Sequence, residues 1–191
     1  MKQLLNQIEN CTLCSGHLPF SPRPVIQVGK KARILIIGQA PGLKVQQTGI
    51  AWNDKSGDTL RNWLGVEKEQ FYNPNIFGLV PMGFCYPGKG KSGDLPPRKE
   101  CTPTWHKKLL ESMPHVELIL LMGLYAQRYY LQHESRATLT ENVLHFEEFL
   151  PQYFPLVHPS PRNAIWQKKN PWFKKDVIPH LQKRIESVLN M

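Results

Sequence analysis

Four cysteines, Cys11, Cys14, Cys85 and Cys101, are residues whose type and spacing suggest chemistry. Cys11 and Cys14 form a CxxC on a short N-terminal segment, and Cys85 and Cys101 flank a loop rich in Gly, Pro and Lys. The N-terminus MKQLLNQIENC holds no apolar export stretch, so the thiols are expected to be reduced, which points to metal ligands rather than disulfides. A metal held by all four would tie the N-terminus to the distant loop. Four thiolates suit a tetrahedral zinc or an iron–sulfur cluster, and four buried thiols can also simply pack.

Two short motifs form the second set. Gly38-Gln39-Ala40-Pro41-Gly42 follows the apolar, β-branched run Arg33 to Ile37, and His158-Pro159-Ser160-Pro161-Arg162-Asn163 follows Phe149 to Val157. A Gly and Pro turn after a strand is ordinarily only a turn, and a lone histidine there is ordinarily a satisfied surface or core residue. Two such loops at the carboxyl ends of parallel strands can open on one crevice, where open α/β sheets place ligands.

The elements that would position these residues alternate between strand and helix. Residues 1–10 predict a helix, and Ser21 to Gly29 an extended connector. Strands are expected at 33–37, 76–84, 116–122 and 149–157, and helices at 56–63, 104–113, 124–131 and 176–189. The stretch from Tyr86 to Cys101 has too many glycines and prolines for regular structure. The fold class is therefore α/β: one domain over residues 1–191, three-layered α/β/α, around a central, mostly parallel four-stranded sheet.

Composition agrees. With 191 residues, 41% of them hydrophobic and only 20% charged, the chain can bury its own core. The longest apolar run, Val116 to Gly123, is too short to span a bilayer, so a soluble cytoplasmic protein without a membrane partner is expected. Charge is more telling: 24 Lys and Arg against 15 Asp and Glu leave +9, with an isoelectric point near 9.5. Between His158 and Arg184 lie Arg162, Lys168, Lys169, Lys174, Lys175, Lys183 and Arg184 against the single acid Asp176, with Trp166, Trp172 and Phe173 interleaved. Cations for phosphates and rings for bases imply a nucleic-acid partner; a generally basic, solvated surface is the plainer alternative.

The three separated motifs together resemble the uracil-DNA glycosylase superfamily, and within it the iron–sulfur family 4 enzymes. Gly38 to Gly42 is similar to that family's GEAPG with Gln39 in place of glutamate, and Thr48-Gly49-Ile50-Ala51-Trp52 resembles its TGxPF. The cysteine order matches too, and HPSPRN is similar to the superfamily's HPS motif, closest to the single-strand-selective branch. The resemblance implies a monomeric DNA glycosylase of base excision repair, acting on DNA that contains uracil or a related damaged pyrimidine, with a 4Fe-4S cluster on Cys11, Cys14, Cys85 and Cys101. It implies that His158 and Gln39 are catalytic, that Gly38, Gln39, Ala40 and Trp52 form the base pocket, and that Gly42, Ser160, Pro161, Arg162, Asn163, Lys168 and Lys169 contact DNA. Trp52 would stack on a flipped base, and Arg162 and Asn163 would fill the gap it leaves. Ser160 can instead serve only as a helix cap.

Departures from the family pattern bear on mechanism. Ala40 offers a methyl where other branches place aspartate or asparagine, and Asp54, the nearest acid, is by default solvated. Pro81 stands where family 4 has a base-reading asparagine; it lacks both a polar side chain and an N–H. Reading of the base edge then falls to backbone amides or to a polar residue such as Asn73, Asn75 or Asp94. The rival reading is a non-catalytic nucleic-acid-binding protein that retains the fold.

Overall fold

The computed structural model describes residues 1–190. Its centre is a parallel sheet of β1 (Ile34–Ile37), β2 (Phe77–Leu79), β5 (Leu118–Met122) and β6 (Tyr153–Leu156), in the order β2-β1-β5-β6. All three pairings are parallel, with Ile34 level with Phe77 and Leu118, and Ile119 level with Tyr153. A separate two-residue hairpin pairs β3 (Lys89–Gly90) with β4 (Gly93–Asp94) inside the loop between Cys85 and Cys101.

The central strands read as continuous apolar runs because both faces are covered. Ile34, Ile36, Leu118, Leu120, Met122, Phe154 and Leu156 face one core, shared with α3 (Lys55–Leu64), α7 (Leu139–Leu144) and α9 (Ile178–Asn190). Leu35, Ile37, Ile119 and Leu121 face the other, shared with α1 (Lys2–Glu9), α5 (Lys107–Glu111) and α6 (Leu124–Leu131). This strict alternation of side chains across the pleat makes the three layers.

Four short helices escaped the sequence reading: α2 (Leu43–Thr48), α4 (Lys68–Phe71), α7 and α8 (Ala164–Lys169). None is long enough to show an apolar period. Two expected strands are shorter than their apolar runs. The expected strand at 76–84 stops at Leu79, and Pro81 lacks the N–H needed to continue a ladder. The expected strand at 149–157 begins only at Tyr153, because Phe146–Phe149 close a 3-10 turn. The helices expected at 104–113 and 176–189 each start earlier, with a π-helical turn at Thr102–His106 and at Phe173–Val177. The Tyr86–Cys101 loop, expected to be irregular, carries the β3–β4 hairpin. No helix among the described residues is long and apolar enough to cross a membrane.

Candidate active site

The carboxyl ends of β1 and β6 open on one cleft of about 580 Å³. Gly38, Gln39, Ala40 and Gly42 enter it from β1, Trp52 and Asp54 from the segment before α3, Ser92 to Asp94 from the hairpin, and His158 and Ser160 to Asn163 from β6. Two loops distant in sequence thus share a wall, as the parallel sheet requires.

His158 sits at the centre, half-buried, with its ring stacked on Trp52 at a centroid separation of 5.5 Å and an angle of 29°. Burial holds its pKa below the ordinary histidine range, with the Asp54 carboxylate pulling the other way. The imidazole is therefore neutral near pH 7 and offers one N–H. Neither ring nitrogen makes a hydrogen bond among the described residues, whereas the His158 carbonyl accepts the Asn163 amide at 2.6 Å. That contact spends Asn163 on bracing the loop. Ser160 acts as the cap foreseen as its lesser role, accepting the Arg162 N–H at 3.3 Å.

Trp52 is held in the left-handed region at φ 57°, a conformation that costs a non-glycine residue of order 1 kcal/mol or more. Its placement depends on two glycines that leave it room. A Cβ at Gly38 would lie 2.9 Å from the Trp52 ring, and one at Gly57 would lie 1.7 Å from its carbonyl oxygen. One face of the ring already meets His158, so the expected base stack is limited to what the cleft leaves open.

Asp54 corrects the sequence reading. It is not a solvated loop acid: Oδ1 caps α3 by accepting the Gly57 N–H at 2.9 Å, and the residue lines the cleft. Oδ2 lies 4.0 Å, and Asp94 Oδ2 3.6 Å, from the point a Gly42 Cβ would occupy. The missing side chain of Gly42 keeps the space between the two carboxylates open. An Asp followed three residues later by Gly at a helix start was the local signal for the cap; the approach to His158 had none.

Of the polar residues named for the base edge, Asp94 reaches the cleft, while Asn73 folds back to accept the Asn75 N–H at 3.0 Å. Backbone amides beside Pro81 are committed: Val80, Met82 and Gly83 donate to the carbonyls of Ile36, Gly38 and Gln39. The N–H groups of Gln39 and Ala40, by contrast, make no intramolecular hydrogen bond among the described residues. Two adjacent free donors in the wall of a cleft suit an oxygen that gains negative charge.

Outside the cleft, Lys168 and Lys169 project from α8, exposed and without an ion-pair partner among the described residues. The interleaved aromatics are not a stacking platform. Phe173 is fully buried, Trp166 and Trp172 pack edge-on against it, and the Trp166 indole donates to Thr140 at 2.9 Å. Arg162 extends across the cleft mouth and donates to the Ser92 carbonyl at 3.2 Å.

The four cysteines lie apart from the cleft. Cys14, Cys85 and Cys101 are buried and Cys11 is half-buried. Desolvation pushes the Cys85 thiol up to about 12 and the Cys101 thiol to about 11, and in each case Cys11 and Cys14 push the same way. The Arg23 and Phe84 backbones hydrogen-bond to Cys85 and Cys101, which favours their thiolates. No group of three or more His, Cys, Asp or Glu that could hold a metal ion is found among the described residues.

A parallel α/β/α sheet that brings two strand-end loops, a histidine and an arginine to one cleft defines a class of ligand-binding α/β protein. The family model of the uracil DNA glycosylase superfamily matches residues 26–182, and the chain belongs to that superfamily. A similar solved structure is the solution NMR structure of "a putative Uracil DNA glycosylase from Methanosarcina acetivorans". It is 17% identical, with a TM-score of 0.46 over 81% of this chain and 94% of that one.

Proposed function

We propose that this chain is a monofunctional DNA glycosylase that hydrolyses the N-glycosidic bond of uracil or a related damaged pyrimidine. One observation carries the reading: His158, with both ring nitrogens free, shares a cleft with the unpaired N–H groups of Gln39 and Ala40 and with Asp54. As the bond breaks, its electron pair stays with the base, negative charge grows on a carbonyl oxygen and the sugar becomes cationic. The His158 N–H and the two backbone donors stabilise the departing base because they are already oriented before the charge appears. Water adds at the sugar carbon, and the proton it gives up ends on the base anion, which leaves as the neutral base. Ala40 cannot orient that water, so Asp54 takes the task, with its cap to Gly57 fixing the carboxylate. No lysine lies in either motif, which removes the amine needed for a Schiff base.

The direct test is a uracil-containing oligonucleotide incubated with protein and then treated with alkali. Wild type leaves an alkali-labile site, and His158→Ala slows its formation by roughly 100- to 1,000-fold in single turnover. A second reading, a binder without chemistry, draws on the apolar Ala40 and Pro81. Retardation on a gel without any alkali-labile site would establish it.

We infer further that Cys11, Cys14, Cys85 and Cys101 hold a 4Fe-4S cluster. The donor set supports it: four thiols, three of them buried, with backbone hydrogen bonds on two of the sulfurs, although no group of three or more metal-ligating side chains is gathered among the described residues. Such a group supplies a cross-link between the end of α1 and the hairpin loop that borders the cleft. Brown protein containing iron, bleached and destabilised by Cys85→Ala, is the expected outcome; a colourless protein with stoichiometric zinc sinks the assignment.

A further inference from the structure

Two parts of the cleft wall take no part in the chemistry proposed for uracil. Val25, Leu79 and Pro81 form an apolar stretch without a side-chain hydrogen-bonding group. The Pro81 carbonyl is already taken by His106 at 3.1 Å, and Pro81 has no N–H to offer. Asp94, from the hairpin, faces Asp54 across the space that Gly42 leaves open. Its carboxylate makes no ion pair among the described residues, not even with Lys89, its neighbour across the hairpin. Arg162 is the one cation among the lining residues, and it donates to the Ser92 carbonyl rather than to either carboxylate. Two carboxylates against one cation leave the cleft negative, in a chain whose net charge is +9.

A carboxylate gains most from a charged donor, and an apolar wall suits a methyl group where it would leave a polar edge unpaired. The matching ligand is flat, cationic and alkylated in its plane. We propose that the cleft also excises cationic N-alkylated bases, with N3-methylcytosine as the pyrimidine that carries both features: Asp94 accepts from its exocyclic amino group and Pro81 packs on the methyl. This rests on the reading that the cleft receives a flipped base. The open part of the Trp52 ring adds a π face that attracts a cation. In the reaction the bond from the sugar carbon to the base nitrogen breaks, and its electron pair moves to that nitrogen and discharges the ring. The base leaves as a neutral molecule. Water adds to the sugar carbon, and its proton passes to Asp54 and then to solvent. No anion forms on the base, so the His158 N–H contributes far less than it does with uracil.

The test compares two oligonucleotides that differ only in carrying one N3-methylcytosine or one uracil. Each is incubated with saturating protein, and the freed base is identified by mass spectrometry beside the alkali-labile site. Wild type is expected to release both bases. Asp94→Asn keeps the size of the side chain but removes its charge, and should lower the ratio of N3-methylcytosine to uracil excision about 10-fold while melting at the wild-type temperature. His158→Ala should raise the same ratio about 10- to 100-fold, because only uracil departs with growing negative charge. Release of uracil without N3-methylcytosine overturns the proposal and leaves the uracil reading standing; release of N3-methylcytosine without uracil does the reverse. Release of neither overturns both. A ratio unmoved by Asp94→Asn overturns the role of that carboxylate in admitting the cation.

Discussion

His158 and His106 occupy opposite situations. His106 is 2% exposed, its Nε2–H donates to the Pro81 carbonyl at 3.1 Å, and its Nδ1 accepts the Tyr130 hydroxyl at 2.6 Å. Its ring stacks on Phe84 at 5.6 Å and 15°. Every hydrogen-bonding capacity of that ring is used, so it can only hold structure. His158 is also stacked, on Trp52, yet both ring nitrogens are left without partners in a cleft wall. Burial lowers both pKa values, that of His106 to about 4. The shift alone therefore does not distinguish them. What sets His158 apart is unspent hydrogen bonding in a cleft that Asp54 also lines.

The widest separation between the two sites should come from exchanging their losses. His158→Ala is expected to remove two to three orders of magnitude of excision with little change in stability. His106→Phe keeps the ring but strands the Tyr130 hydroxyl and the Pro81 carbonyl, costing about 2–3 kcal/mol in a urea melt. Rate and unfolding curve measured for both variants would erase the contrast if the losses were reversed.

Asp54 sharpens the same comparison from the side of the carboxylate. Asn caps helices as well as Asp does, so Asp54→Asn should retain the α3 cap and the melting temperature while excision falls by roughly 10- to 100-fold. A fall in stability matching the fall in rate would instead reduce Asp54 to a cap.

Acidification should weaken the fold through His106. Its folded pKa, about 4, lies below the 6.5 of the unfolded chain, so the unfolded state binds more protons between those values and stability rises with pH across that window. The full contribution, about 3 kcal/mol, is present above pH 6.5 and is lost as pH falls toward 4. His158 adds in the same direction. His106→Phe should flatten this slope, and urea midpoints taken from pH 4 to pH 7 would reveal an unchanged slope if the assignment were wrong.

The smallest effect belongs to the rim. Charge reversal of Lys168 and Lys169 should weaken binding to every DNA sequence alike, by several-fold at low salt, and make the salt dependence shallower by about two in slope. Titrations at three salt concentrations suffice; an unmoved slope would place the phosphate path elsewhere.

Much of the frame was legible because it depends on local pattern. The run at Ile34–Ile37 could only be a strand covered on both faces, and α6 was read with its observed bounds from Gly123 and the apolar spacing after it. Legibility failed where neighbours in space decide. The apolar character of Ile76 to Phe84 says nothing of where pairing stops, and the aromatics of the basic segment read as a stacking surface until the core claimed Phe173.

By itself, the sequence determined the alternation of strands and helices, the placement of two motifs at strand ends, the family and the excess of positive charge. These follow from periodicity, turn chemistry and composition, which are properties of contiguous residues. Only the tertiary structure decided that Asp54 lines the same cleft as His158, that Arg162 is tied to Ser92 70 residues away, that Asn163 is spent on a carbonyl and that Ile165 stands free. Each of these depends on which hydrogen bonds and apolar contacts remain unsatisfied once distant loops meet, and no local pattern encodes that remainder.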